Sequence, residues 1–130
     1  MILSFLVLAG LVWGQEGWTP HVTSTPISGA RFEIVQSELA AKFTFKLDRY
    51  TGQVWQLVTG KSESGDETNW QETPVQGAPN FAPTNTPRFQ IFTSGLAGRF
   101  TLLLDTRTGL SWVFTTFSDG NAWKPMQTFK

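Results

Sequence analysis

The chain contains no cysteine and only one histidine among its 130 residues. Without cysteine it has no disulfide bond, no thiolate metal site and no cysteine nucleophile. The histidine, His21, has no second potential ligand beside it, which argues against a metal site and against a serine–histidine triad. Glycine-rich phosphate-binding motifs are missing as well. We therefore predict that the protein is not an enzyme and that it carries neither a cofactor nor a metal ion.

Charge is scarce and balanced, with ten basic and ten acidic side chains. The basic residues are dispersed along the chain, whereas a nucleic-acid interface needs a clustered basic surface that captures phosphates. We therefore expect no nucleic-acid partner. Hydrophobic residues make up 40% of the sequence and aromatic residues 14%, which is the composition of a folded globular protein and not of a disordered chain.

The sequence has one long apolar run, Ile2–Trp13, and none after it. Its 12 residues fall short of the roughly 20 that a membrane-spanning helix needs and suit the hydrophobic region of a signal peptide. Val12 and Gly14 would stand at positions −3 and −1 of a cleavage site before Gln15. Because no lysine or arginine precedes the run, an uncleaved anchor or a core segment remains an alternative. We predict a cleaved signal peptide over residues 1–14, and hence a periplasmic or secreted protein without membrane contact after cleavage.

The most informative feature that is present is an internal repeat. Residues Arg31–Thr59 and Arg88–Thr116 align at a constant offset of 57 without a gap, and 14 of the 29 aligned positions are identical. This similarity indicates a duplicated structural unit. The identical positions are mostly apolar residues and turn residues, so the repeat predicts architecture and says little about chemistry.

Alternating apolar and polar residues in each copy predict antiparallel strands and not helices. In the first copy the alternation puts Phe43, Phe45 and Leu47 on one face. The equivalent segment of the second copy, Arg99–Leu104, repeats the pattern, with Leu103 as the exception. Each copy therefore contains a half-buried strand at its centre.

Further strands are expected on both sides of this central strand. In each copy one strand precedes it, one follows it, and a fourth begins at a tryptophan. The predicted segments are Arg31–Gln36, Gln53–Thr59 and a strand from Trp70 in the first copy, and Arg88–Thr93, Leu110–Thr116 and a strand from Trp123 in the second. Because large aromatic side chains dominate core burial, Trp55 and Trp112 are predicted to belong to the core, together with Leu57 and Phe114.

Two similar turns join the central strand to the next one in the two copies. Each begins with an aspartate, whose carboxylate accepts hydrogen bonds from following backbone N–H groups, and each ends with a glycine that adopts a positive φ without strain. The turn residues are Asp48, Thr51 and Gly52 in the first copy and Asp105, Thr108 and Gly109 in the second. A calcium site is the less favoured alternative, because calcium takes six to eight oxygen ligands and this motif offers one carboxylate and one hydroxyl.

Proline marks the segments between these units. Residues 76–87 hold three of the seven prolines and no charge, which is typical of a linker because proline has no N–H to donate to a sheet. The predicted organisation is a signal peptide (1–14), an extended lead-in (15–30), a first β-repeat (31–75), a proline-rich linker (76–87) and a second β-repeat (88–130). A lone meander would leave an apolar face in water. We therefore expect an all-β fold of two tandem four-stranded antiparallel meanders, packed as a pseudo-twofold sandwich or closed into an eight-stranded barrel.

The pattern Asp-x-x-Thr-Gly-x-x-Trp occurs twice, at Asp48–Trp55 and at Asp105–Trp112. It resembles the blade motif of quinoprotein-type β-propellers, in which a tryptophan docks one blade on the next, over eight residues of each copy. The segment LLLDTRTGLSW is also similar to a group of small exported bacterial proteins of unassigned function that carry an LDTxTGxxW segment. That resemblance implies an exported β-protein and no particular activity.

Two functions from different classes fit these observations. The first is a non-catalytic exported β-module that acts through protein–protein contacts or self-association. The second is a small module that binds carbohydrate or another ligand on exposed tryptophans. Trp70 and Trp123 are its candidate binding residues, because they are predicted to start their strands beside loops.

Overall fold

The computed structural model describes residues 27–78, 82 and 84–130 of the chain. The predicted signal peptide and most of the lead-in, including His21, lie outside the described residues, as do 79–81 and 83 of the linker. The described part consists of eight β-strands and contains no helix, which confirms the all-β prediction.

The strands fall into two groups of four, one in each copy of the repeat. The first unit contains β1 (Phe32–Gln36), β2 (Thr44–Asp48), β3 (Val54–Ser62) and β4 (Gly65–Glu72). The second unit contains β5 (Phe89–Thr93), β6 (Thr101–Asp105), β7 (Ser111–Phe117) and β8 (Gly120–Pro125). Each group forms its own antiparallel sheet with the strands in chain order, so the two tandem meanders are confirmed. The two sheets do not merge into the alternative eight-stranded barrel: among the described residues a single isolated bridge, Val75–Trp123, joins them.

Both sheets have the same strand register. The equivalent residue pairs are Phe32–Asp48 and Phe89–Asp105, Lys46–Trp55 and Leu103–Trp112, and Leu57–Trp70 and Phe114–Trp123. The two units therefore share their backbone pairing, apart from the longer β3–β4 hairpin of the first unit, and they differ mainly in what their side chains contact.

The fourth strand of each unit starts earlier than the sequence suggests. β4 begins at Gly65 and β8 at Gly120, each directly after a two-residue hairpin loop. Both glycines have a positive φ, 123° and 141°, which side chains with a Cβ rarely adopt. As a result Trp70 and Trp123 lie within their strands and not at the strand starts beside loops, where they were expected.

Each sheet has two faces, which we name by equivalent positions. The front face includes Val35, Phe43, Phe45, Leu47, Val54 and Gln56 in the first unit and Phe92, Phe100, Leu102, Leu104, Ser111 and Val113 in the second, with polar residues Glu33 and Gln71 in the first and Gln90 and Lys124 in the second. The back face includes Phe32, Ile34, Lys46, Trp55, Leu57 and Trp70 in the first unit and Phe89, Ile91, Leu103, Trp112, Phe114 and Trp123 in the second, with Glu72 in the first and Pro125 in the second. These sets follow from the register, because side chains alternate along a strand and directly paired residues share a face.

The sandwich core forms between the front face of the first unit and the back face of the second. The first unit contributes Phe45, Leu47 and Val54, all fully buried. The second contributes Phe89, Ile91, Leu103, Trp112, Phe114 and Trp123 of its back face. Leu103, expected as the exception to the inward pattern, is the buried leucine of β6, whereas Phe100 is 47% exposed. The predicted orientation of β6 is therefore reversed.

The two meanders pack as a two-sheet sandwich, as predicted, but the two faces in contact are not equivalent ones. A twofold axis would bury equivalent residues in both units. Instead Phe89 is 3% exposed and its equivalent Phe32 is 50% exposed, and Ile91 is 5% exposed and Ile34 is 51% exposed. The two units therefore stack with unlike faces in contact, front against back.

Candidate functional site

Aromatic rings pack against one another between the two sheets. The Phe45 ring centroid lies 4.9 Å from that of Phe114 and 5.3 Å from that of Trp123, in edge-to-face geometry. Phe43 contacts Phe114 in the same way at 5.9 Å. Edge-to-face contacts of this kind add to the stabilisation that burial of the rings supplies. The front face of one unit is thus a well-fitting partner for the back face of the other.

Hydrogen bonds complete the same interface. The Trp123 indole N–H donates to the Thr73 hydroxyl at 3.0 Å, and the Trp112 indole N–H donates to the Gln76 carbonyl at 2.9 Å. Gln56 accepts a bond from the Asn121 side-chain amide at 2.8 Å. Both buried indoles of the second unit therefore have their polar group satisfied by the segment that follows β4.

The back face of the first unit has no such cover among the described residues. Phe32 and Ile34 are about half exposed, and Trp55 and Trp70 are partly exposed beside them. The Lys46 ammonium lies 4.5 Å from the Trp55 ring centroid and 5.2 Å from that of Trp70, within cation–π range. This face presents two indoles and a phenylalanine to the surroundings.

The front face of the second unit is the opposite outer surface. Phe92 is 56% exposed and Phe100 is 47% exposed. Leu102, Leu104 and Val113 are partly exposed between them. The protein therefore presents an apolar surface at each end of the stack, and we treat these two outer faces as the candidate functional site.

The structure separates the tryptophans that the sequence grouped together. Trp112 is 2% exposed and lies in the core, but Trp55, also expected there, lies on the outer back face of the first unit because that sheet buries its other side. Trp123, a candidate for ligand contact, is fully buried under Phe45 and Phe114. Of the two proposed ligand-binding tryptophans, Trp70 alone is accessible.

The repeated aspartates lie in the turns as expected, with partners that the sequence analysis did not identify. Asp105 receives hydrogen bonds from Arg88 Nε at 2.8 Å and Arg88 Nη2 at 2.7 Å. Asp48 receives the equivalent bonds from Arg31, at 3.1 and 2.8 Å to its Oδ2. Each arginine stands 17 residues before its aspartate. An arginine is the first residue of both copies of the repeat, and this shared residue was the sequence feature from which the pairing could have been predicted.

The turn residues complete each carboxylate's hydrogen bonding. Asp48 accepts from the backbone N–H groups of Tyr50 and Thr51, at 3.0 and 3.3 Å. Asp105 accepts from the backbone N–H of Arg107 at 3.0 Å and from the Thr108 hydroxyl at 2.5 Å. The closing glycines of the two turns, Gly52 and Gly109, have φ of 78° and 75°.

These contacts keep both carboxylates ionised. The hydrogen bond from Arg88 lowers the pKa of Asp105 far below its ordinary value, against an opposing effect of burial. Burial raises the pKa of Asp48, but the hydrogen bonds from Arg31 and from the turn together outweigh it and the net shift is downward. Carboxylates that are bidentately paired and ionised at neutral pH are suited to holding a turn and not to exchanging protons at that pH.

Other potential sites are sparse. Within the described ranges there is no group of three or more histidine, aspartate or glutamate side chains placed to hold a metal ion. A cleft of about 170 Å³ lies between the sheets, lined by Val54, Glu72, Leu103 and Trp112 among others. It presents one carboxylate and no partner for acid–base chemistry. No helix in the described part of the chain is long and apolar enough to cross a membrane.

Comparisons with protein-family models, with curated protein sequences and with solved structures find no match to this chain. The resemblances to propeller blade motifs and to small exported bacterial proteins therefore stay predictions.

Proposed function

We propose that the protein is a non-catalytic, exported β-module that acts through protein–protein contacts of its outer sheet faces. The observation that carries this proposal is the open back face of the first unit. Phe32 and Ile34 are 50% and 51% exposed there, and Trp55 and Trp70 lie on the same face on the other side of Lys46. Exposed apolar surface of this kind marks interaction sites, and tryptophan is enriched in the residues that dominate binding energy.

The remaining parts of the proposal rest on the sequence and on the turns. Export follows from the predicted signal peptide over residues 1–14. The non-catalytic role is supported by Asp48 and Asp105, the two repeated acidic residues, because their arginine partners hold them ionised.

A small carbohydrate- or other ligand-binding module is the second candidate. Trp55 and Trp70 favour it, because two indoles on one open sheet face offer flat apolar surface against which a sugar ring can stack. The Lys46 ammonium over both rings reduces the ring area that a ligand could reach. A protein surface covers the whole face at once and therefore uses more of this apolar area than a sugar does.

Site-specific photo-cross-linking tests the proposal. Benzoyl-phenylalanine is placed at position 57, in the centre of the back face, and in a matched control at position 63, at the tip of the first hairpin. Irradiation of the producing cells is expected to give a discrete protein adduct from position 57 and none from position 63. Equal or absent adducts from the two positions contradict the proposal. A shift of tryptophan fluorescence with oligosaccharides, abolished by Trp70→Ala, would support the ligand-binding candidate instead.

A further inference from the structure

We infer that copies of this chain associate head to tail, with the back face of one copy's first unit on the front face of the next copy's second unit. The inference rests on the proposed function and names its partner. It starts from the contact within a single chain, where a front face already binds a back face through Phe45, Phe114 and Trp123. Among the residues that the structure describes, one back face and one front face have no such partner.

The open back face closely matches the buried one. Of the first six back-face positions named above, four carry the same residue in both units, namely Phe32/Phe89, Ile34/Ile91, Trp55/Trp112 and Trp70/Trp123. The fifth position, Leu57, is apolar in both units. Because the backbone register is also the same, the open face of the first unit has the shape and most of the side chains of a surface that the fold already buries.

The open front face matches the buried front face in character. Of the first six front-face positions named above, five are apolar in each unit, and Phe43/Phe100 and Leu47/Leu104 are identical pairs. Gln90 and Lys124 add polar groups to the open front face. Leu102 stands where Phe45 contacts Phe114 and Trp123 inside the chain. An incoming back face would therefore place Leu57 and Trp70 over Leu102.

The C-terminal segment adds an equivalent for one of the two indole hydrogen bonds. Thr73 N–H donates to the Val54 carbonyl, and Met126 N–H donates to the Ser111 carbonyl at the same 2.9 Å, so residues that follow β8 begin as those that follow β4 do. Inside the chain the segment after β4 accepts the indole hydrogen bonds of the second unit. Phe129, which is 88% exposed, is equivalent to Gln76, so its backbone carbonyl is placed to accept from the next copy's Trp55. Met126, the equivalent of Thr73, has no hydroxyl to offer Trp70.

Lys46 is expected to weaken the contact between copies. It stands where the second unit has Leu103, which is fully buried inside the chain. Covering Lys46 removes its ammonium from water, which opposes association unless its flexible stem carries the charge to the rim. We therefore expect the contact between copies to be weaker than the contact within the chain and to depend on concentration.

The stacking direction determines the kind of assembly. Each added copy again presents one back face and one front face, so the contact is heterologous. Such a contact produces a closed ring where the rotation between copies closes and an open filament where it does not. Both are assemblies of more than one copy. Head-to-tail stacking excludes a dimer in which two back faces or two front faces meet.

A concentration series by light scattering and sedimentation tests the association. The purified protein is expected to exceed the mass of one chain as concentration rises. Lys46→Leu, which gives the back face the residue of the second unit, is expected to lower the concentration of half-assembly by about tenfold or more. Lys61→Glu, a charge change on the exposed hairpin, serves as control and is expected to leave assembly unchanged. A single-chain mass for both wild type and Lys46→Leu at all concentrations would overturn the inference.

A mixing experiment tests the direction of stacking. Leu57→Glu blocks the back face and Leu102→Glu blocks the front face, and unchanged melting transitions of the two variants verify that they fold. Each variant alone is expected to be monomeric, whereas an equimolar mixture is expected to form a one-to-one dimer through the one back face and one front face left intact. Assembly of either variant alone, or a mixture that stays monomeric while the wild type assembles, would overturn head-to-tail stacking.

The benzoyl-phenylalanine at position 57 distinguishes the proposed function, protein–protein contact through the outer faces, from the narrower inference of self-association. An adduct that joins position 57 to the second unit of another copy supports both. An adduct with a different protein, together with a monomeric purified chain, overturns self-association and leaves the proposed function standing. No protein adduct at all overturns both.

Discussion

The two units of this protein have the same strands, register and turns, yet they bury opposite faces. In the first unit the front face, with Phe45 and Leu47, forms the core. In the second unit the back face, with Leu103 and Trp112, does so. The comparison teaches that local sequence determines the sheet, whereas the position of a unit in the stack determines which face is covered. It also explains why apolar residues occur on both faces of both sheets.

The largest expected effect comes from exchanging the residue that distinguishes the two back faces. Leu103→Lys puts an unpaired charge into the centre of the core and is expected to lower the free energy of unfolding by about 4 kcal/mol or more. The reciprocal Lys46→Leu is expected to change it by less than about 0.5 kcal/mol, because position 46 lies on the outer face. Urea denaturation of dilute, monomeric protein measures both. Similar costs for the two variants would mean that both back faces are buried alike.

The equivalent tryptophans give the next largest contrast. Trp112→Ala removes a ring that is 2% exposed and is expected to cost about 3–5 kcal/mol. Trp55→Ala removes a partly exposed ring from the outer face and is expected to cost about 1 kcal/mol. Chemical denaturation of the two variants checks the difference, and an equal loss would contradict the placement of Trp55.

The ion pairs of the two turns are expected to differ less. Arg88 and Asp105 side chains are 10% and 0% exposed, whereas Arg31 is 50% exposed beside its aspartate. Asp105→Asn is expected to lower the free energy of unfolding by about 2 kcal/mol, because it removes charge-assisted hydrogen bonds in a buried site. Asp48→Asn is expected to lower it by less, since water screens the exposed Arg31. A larger loss from Asp48→Asn would contradict the difference in burial.

The same pairs predict how stability depends on pH. Both aspartates have a pKa below the ordinary value in the folded state, so the unfolded state binds more protons in acid. The stability they provide is present at neutral pH and is lost as pH falls below about 4, the unfolded-state pKa of aspartate. Asp105→Asn is therefore expected to flatten the acid limb of a melting-temperature profile. A mutant profile parallel to that of the wild type down to acidic pH would argue against the paired carboxylate.

The smallest expected effect is spectroscopic. Trp55→Phe and Trp70→Phe are expected to remove more of the acrylamide-accessible fluorescence than Trp112→Phe and Trp123→Phe do, because only the first two indoles reach solvent. Acrylamide quenching of the four variants at low concentration measures this. The quenching of wild-type protein is expected to fall as it assembles. Equal accessibility of all four indoles would remove the distinction between the two back faces.

Much of the fold follows from the sequence, and the reason is local. The alternation around Phe45 and the Asp-to-Gly turns predict the strands and the hairpins, since each depends only on neighbouring residues. The orientation of β6 could not be predicted in this way. Its three consecutive leucines make both faces apolar, so alternation does not say which one is covered.

The candidate site was harder to predict for the same reason. Trp70 and Trp123 occupy equivalent positions, and only the stacking order exposes one and buries the other. The partners of the turn aspartates, Arg31 and Arg88, are 17 residues away, beyond the reach of turn rules. Long-range packing, and not residue type, determines which tryptophan is exposed and which arginine pairs with each aspartate.

Cross-linking within one chain tests the front-to-back stacking most directly, and the lack of native cysteine makes it clean. Gln56 and Asn121 side chains meet across the two sheets at 2.8 Å, whereas Val113, the equivalent of Gln56, lies on the far side of the second sheet. A short bifunctional thiol-reactive cross-linker, such as a bis-maleimide, is expected to bridge Gln56→Cys and Asn121→Cys within a single chain and to leave Gln56→Cys with Val113→Cys unbridged. An intramolecular bridge between positions 56 and 113, and none between 56 and 121, would mean that like faces meet and would contradict the account.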